Sequence, residues 1–131
     1  MILLDTHVLV WWMDSPQKLS KNALREFENA RKGHEVCVSS ISFWEIALLV
    51  KEGRINFSMG FENWIEIVEN FSFIRFIPVD NFIAINSVNL SYFSNKDPAD
   101  RIIVATALNL GAKLITRDRR ILKYKGVQAV W

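Results

Sequence analysis

The run Ile2-Leu3-Leu4 does not alternate apolar with polar residues. A strand with one wet face has to alternate, because successive side chains point to opposite sides of a sheet. An unbroken apolar run of this length reads as a strand covered on both faces, and helices are the elements that cover a sheet that way. The rest of the chain supplies them. Val8 to Met13 reads as a short helix ending near Ser15-Pro16. Ser20 reads as the N-cap of a helix through Arg31, with Leu24 and Phe27 at helical spacing and Gly33 as its stop. Glu35 to Ser39 reads as a second strand, and Ser42 to Lys51 as a helix closed by Gly53. A connector, Arg54 to Gly60, leads to a helix from about Phe61 to Asn70. Phe73 to Val79 reads as a third strand, with Pro78 marking a strand end or an edge. A helix over Asn81 to Leu90 follows, and Asp97-Pro98 opens another that stops at Gly111. Lys113 to Thr116 is a fourth strand, Arg119 to Leu122 a short helix, and Val127 to Val130 a fifth strand. Strands alternating with helices predict an α/β domain: a parallel sheet between two helical layers.

The chain has 131 residues and half of them are apolar, enough to fill one core. It shows no repeat, low-complexity stretch or linker, so residues 1–131 are expected to form a single domain. No apolar run approaches the length of a membrane span, and no basic segment opens a signal sequence. The lone cysteine, Cys37, excludes an internal disulfide and points to a reducing, cytoplasmic setting. Its apolar neighbours predict a buried, inert thiol.

In a parallel α/β sheet, the C-terminal strand ends and the N-terminal helix ends share one edge, where ligands bind at the reversal of strand order. Four acids fall there. Asp5 ends strand one and Asp118 follows strand four. Glu45 lies in the first turn of the helix over Ser42–Lys51, and Asp100 in the first turn of the helix from Asp97. If the order reverses between strands one and four, Asp5 and Asp118 are neighbours. Capping accounts for some of these acids singly. Ser42-Phe43-Trp44-Glu45 has the form of a capping box, Asp97-Pro98-Ala99-Asp100 is helix-start chemistry, and Asp118 suits the cap of the next helix. Capping is the weakest account of Asp5. Four acids converging from separate elements need charge compensation, which Mg²⁺ or Mn²⁺ supplies through oxygen ligands.

Charge along the chain is uneven. Residues 96–131 hold eight Lys or Arg against three acids, a net +5, while the remainder is −3. A basic segment around a few carboxylates suits a polyanion held near them. Competing chemistries are poorly supplied. The chain lacks a Gly-rich phosphate loop, and two histidines, His7 and His34, with one cysteine do not make a zinc site. His7 reads as packing or solvent-exposed despite its place beside Asp5. The aromatics Trp11, Trp12, Phe43, Trp44, Phe57, Phe61, Trp64 and Phe71 read mainly as core, with the surplus suggesting a partner surface.

These residues resemble a known family. Ile2-Leu3-Leu4-Asp5-Thr6-His7, Ser42-Phe43-Trp44-Glu45-Ile46-Ala47, Asp97-Pro98-Ala99-Asp100-Arg101 with Ile102 to Ala107, and Leu114-Ile115-Thr116-Arg117-Asp118 occur in the order of the PIN domain. Within that family they resemble the VapC-type toxin ribonucleases of type II toxin–antitoxin systems. The resemblance implies a five-stranded parallel sheet ordered 3-2-1-4-5. It implies catalytic and metal-binding roles for Asp5, Glu45, Asp100 and Asp118, with Thr6, Thr116 and Asp97 in support. It implies one or two Mg²⁺ ions, with Mn²⁺ able to substitute, and cleavage of single-stranded or looped RNA, a transfer RNA or another structured RNA among the candidates. Arg101, Arg117, Arg119, Arg120 and Lys123 are the expected RNA contacts. A homodimer and a cognate antitoxin are the expected partners, with no membrane involved. Two alternatives stand beside this reading. One is a non-catalytic PIN-like nucleic-acid-binding module. The other is a phosphatase with Asp5 as nucleophile, against which His7 counts, since such enzymes carry a second Asp there.

Overall fold

A computed structural model describes all residues, 1–131. Five strands form one parallel sheet in the order β3-β2-β1-β4-β5: β1 (Ile2–Leu4), β2 (Val36–Ser39), β3 (Ile74–Ile77), β4 (Lys113–Ile115) and β5 (Ala129–Val130). The reversal falls between β1 and β4, as the position of Asp5 requires. The helices are α1 (Thr6–Asp14), α2 (Lys21–Lys32), α3 (Ser40–Lys51), α4 (Phe61–Glu69), α5 (Asn81–Val88), α6 (Pro98–Leu110) and α7 (Arg119–Lys123). A 3₁₀ turn at Pro16–Lys18, not anticipated from the pattern, joins α1 to α2.

The central strand explains its own composition. Ile2 and Leu4 enter one core, with Phe27 of α2, Ile46 of α3 and Trp64 of α4. Leu3 enters the other, with Ile103 and Val104 of α6 and Ile121 of α7. Both faces are covered, so no position could be polar. Cys37 lies fully buried in the second core, and burial pushes its thiol pKa up. No helix is long and apolar enough to cross a membrane.

The helix limits follow local chemistry. Ser20 caps α2, accepting from the Ala23 amide. Asp97 caps α6 with Pro98 in its first turn, and Gly111 ends it in a left-handed conformation (φ 62°) that a side chain resists. The start of α3 differs from expectation. Ser39, the last residue of β2, is itself the cap, accepting from the Ile41 amide at 3.2 Å. The strand runs into the helix without a loop. Ser42 is therefore inside the helix and buried, and Glu45 lies beyond the first turn, so the expected capping box does not form.

The aromatics are mostly core, as read from spacing, with Trp44 left exposed. Phe57 stacks on Trp64 (4.5 Å, 17°), and Trp12 packs on Phe27, Phe71 and Phe73. The strongly exposed apolar side chains lie mainly elsewhere. Phe82, Ile85 and Val88 recur along one face of α5, with Tyr92 and Leu108 beyond them.

Candidate active site

Strand register brings the first two acids together. Leu4 pairs with Ile115, so the next residues, Asp5 and Thr116, face each other across the strand ends. The Asp5 amide donates to the Ile115 carbonyl at 3.0 Å. The Thr116 hydroxyl donates to Asp5 Oδ2 at 2.6 Å and accepts from the Asp118 amide at 3.0 Å. One side chain thus fixes both acids. Asp5 does occupy the N-cap of α1, its Oδ1 accepting from the Thr6 amide at 2.8 Å. The cap reading, expected to be weakest there, holds alongside the site position. A strand that turns directly into a helix makes its junction residue both a strand-end group and a cap.

Glu45 enters from α3. Thr6 Oγ1 donates to its Oε1 at 2.6 Å and lies 3.0 Å from the Ser42 hydroxyl. The Thr6 hydroxyl has one proton, which the carboxylate takes, leaving its lone pairs for Ser42. Ser42, read as a cap, thereby links α1 to α3 beneath the site.

Asp100 enters from α6 without a capping task. Asp97 Oδ1 accepts the Asp100 amide at 3.0 Å, and the Asp97 amide donates to Asn95 Oδ1 at 3.0 Å. Buried Asn95 also donates to Asp100 Oδ2 at 2.8 Å. Asn95 was not identified from sequence. Its only local signal is its place two residues before a helix-capping Asp, where an Asx turn forms. Asp118 caps α7 and bonds Arg120, whose Nη2 lies 3.0 Å from Asp118 Oδ2 and 3.4 Å from Asp100 Oδ2.

These acids line one cavity of about 580 Å³ together with His7, Trp11, Arg54, Arg117 and Arg120. Their ionisation is divided. Burial raises the pKa of Asp5 and of Glu45, each also repelled by a neighbouring carboxylate and partly relieved by its threonine hydroxyl. Burial raises Asp100 to about 6, with Asp5, Asp97 and Asp118 adding to the effect. Burial also disfavours the Asp118 anion, but bonds from the Arg120 side chain and from the Arg120 and Ile121 amides outweigh it and lower the pKa. Arg120 is thus the counter-charge for Asp118 and in part Asp100, while Asp5 and Glu45 bond only uncharged donors.

The remaining expected cations are spread out. Arg117 lies at the cavity wall, while Arg119 and Lys123 are exposed on α7 and outside it. Arg101 departs from its expected role. Its guanidinium donates to the carbonyls of Ser87, Val88, Phe93 and Asn95 and lies 5.6 Å from the Phe93 ring. It closes the chain between α5 and α6, which leaves it little capacity for a phosphate.

The donor set suits a hard divalent cation: carboxylate oxygens, with a hydroxyl beside two of them. No three acidic or histidine side chains stand close enough to enclose an ion unaided. A cation among them would complete its shell with water, which Mg²⁺ does readily because it keeps several waters.

Fold and site together define a doubly wound α/β domain with an acidic cleft at the switch point of its sheet. The PIN-domain family matches over residues 2–127. Ribonuclease VapC22 of Mycobacterium tuberculosis is 35% identical over 124 residues, spanning 95% of this chain and 92% of that protein. The chain belongs to the PIN-domain family, in its VapC group. Among solved structures, DNA-bound VapBC from Salmonella typhimurium superposes with a TM-score of 0.69 at 20% identity, covering 99% of this chain and 98% of that one. A toxin–antitoxin complex from Klebsiella pneumoniae gives 0.65 at 23% identity, covering 100% and 97%. At those identities the likeness is one of fold.

Proposed function

We propose that the chain is a divalent-metal-dependent endoribonuclease, the toxin of a toxin–antitoxin pair, acting in the cytoplasm on single-stranded or looped RNA. The observation that carries this reading is the convergence of four acids from four elements on one cavity, two of them hydrogen-bonded only to uncharged donors. The relative named a ribonuclease supports the substrate class.

Asp5, Glu45, Asp100 and Asp118 would hold Mg²⁺ or Mn²⁺, as one or two ions. When bound, the metal supplies activation of water and neutralises charge developing on the phosphate. Thr116 and Thr6 keep Asp5 and Glu45 aimed into the cavity, and Asn95 does the same for Asp100. Arg120 pairs with Asp100 and Asp118 at the cavity, where its guanidinium would also meet a phosphate. Arg117 offers a second phosphate contact from the cavity wall, and Arg119 and Lys123 extend the basic surface along α7. No protein nucleophile is needed.

The assembly reading has its own supports. The exposed apolar face of α5, with Phe82, Ile85 and Val88, suits a homodimer contact. Trp44 and Leu48 of α3 and Ile67 of α4 are exposed on the helices where an antitoxin segment is expected.

The direct test is purified protein with Mg²⁺ or Mn²⁺ and RNA, beside Asp5→Asn. Cleavage is expected to fall at least a hundredfold in the variant, and Mn²⁺ binding by calorimetry to weaken with it. Equal cleavage by both proteins would trace the activity to a contaminant. Failure of the wild type to bind Mn²⁺ would favour the non-catalytic binding module.

A further inference from the structure

The cavity is far larger than the acids require, since a water takes up only about 30 Å³. Away from the acids its wall is built from His7, Val8, Trp11, Leu49, Arg54 and Arg117. Trp11 and Trp12 are adjacent on α1 and therefore point about 100° apart. Trp12 takes the core side, against Phe27. Trp11 is left half-buried at the cavity, braced edge-on by Trp131 at 6.0 Å. His7, one turn earlier, is tilted against it at 5.7 Å. The guanidinium of Arg117 and the ammonium of Lys18 each lie 5.9 Å from the Trp11 ring. His7 and Arg117 are exposed. A braced indole flanked by cations, next to carboxylates, suits a base face, a phosphate and a reacting phosphate in succession.

We propose that Trp11, His7 and Arg117 form a nucleobase subsite, in which the base of an unpaired nucleotide adjoining the scissile phosphate stacks on Trp11 and Arg117 holds a neighbouring phosphate. The subsite rests on the ribonuclease reading and deepens it. It selects unpaired RNA, because a base inside a duplex has no free face to offer.

The test uses the full chain in EDTA, so that nothing is cleaved, with a dye-labelled single-stranded oligoribonucleotide and an abasic oligomer of the same length. Fluorescence anisotropy should show Trp11→Leu weakening the natural oligomer about tenfold while leaving the abasic one unchanged. Arg117→Gln should weaken both alike and reduce the salt slope by about one. Tryptophan fluorescence should be quenched by the natural oligomer in the wild type, and most of that quenching should vanish in Trp11→Phe, a variant that keeps the packing. Equal loss on both oligomers for Trp11→Leu, no loss, or unchanged quenching in Trp11→Phe would overturn the subsite. Wild-type cleavage with Mg²⁺ is measured separately, so the nuclease reading can stand while the subsite falls.

Discussion

Thr116 joins Asp5 and Asp118 through a single hydroxyl, so Thr116→Val removes one donor and one acceptor while keeping the side-chain volume. The Asp5 carboxylate then loses the bond that aims it. Supports of this kind are typically worth about 10- to 100-fold in metal affinity or activity. We expect that loss in Mn²⁺ calorimetry and in RNA cleavage, with only about 1–2 kcal/mol lost in urea unfolding. Asp100 yields a prediction of opposite sense. Its pKa, raised from 3.8 to about 6 by burial, means that the folded chain holds this proton more tightly than the unfolded chain. The stability gained that way is complete below about pH 3.8 and is lost as pH rises through about 6. Without metal, Asp100→Asn should therefore be more stable than wild type at pH 7.5, by up to about 3 kcal/mol, and lose that advantage by pH 4. Adding Mn²⁺ should stabilise the wild type and reverse the order. Thermal unfolding across pH, with EDTA and with Mn²⁺, measures both; a variant less stable than wild type at pH 7.5 in EDTA would contradict the assignment.

The ends of α6 were legible because capping is local. Asp97, Pro98 and Gly111 specify its limits within the residues they occupy. The start of α3 was not, because three serines compete there. Ser39, Ser40 and Ser42 are equivalent by propensity, and the choice fell to Ser39 because β2 must reach Ser39 to pair with Ile77. Arg101 shows the same limit. Its place beside Asp100 suggested phosphate, yet the roughly 100° step between neighbouring helical residues carries it over the α5–α6 connection, where four carbonyls accept from it. Arg101→Lys loses the planar fork that serves several carbonyls at once. We expect a cost of about 2 kcal/mol in chemical denaturation, and faster hydrogen exchange over residues 89–97. Unchanged exchange there would refute the clamp.

For the whole molecule, α5 is the element whose apolar side is not covered by its own chain. Phe82, Ile85 and Val88 are 59%, 62% and 74% exposed. A homodimer built on this face should scatter light at twice the 15.2 kDa chain mass at micromolar concentration, and Ile85→Glu should return it to a monomer without loss of folding. A wild-type monomer would reject the dimer. The sequence alone determined the class of fold, because unbroken apolar strands between amphipathic helices admit a covered parallel sheet and little else. It also placed four acids along one edge of the sheet, although Glu45 lies deeper in α3 than its sequence suggested. Those features are written within a few residues of one another. The tertiary structure decided what each side chain faces. Thr116 meets Asp5 across 111 residues and Thr6 meets Ser42 across 36, separations at which no local pattern reports. It turned Trp12 into the core and Trp11 toward the cleft, and it turned Arg101 away from the cleft. The physical reason is that helix and strand formation depend on nearest neighbours, whereas side-chain partners depend on which surfaces the packed sheet brings together.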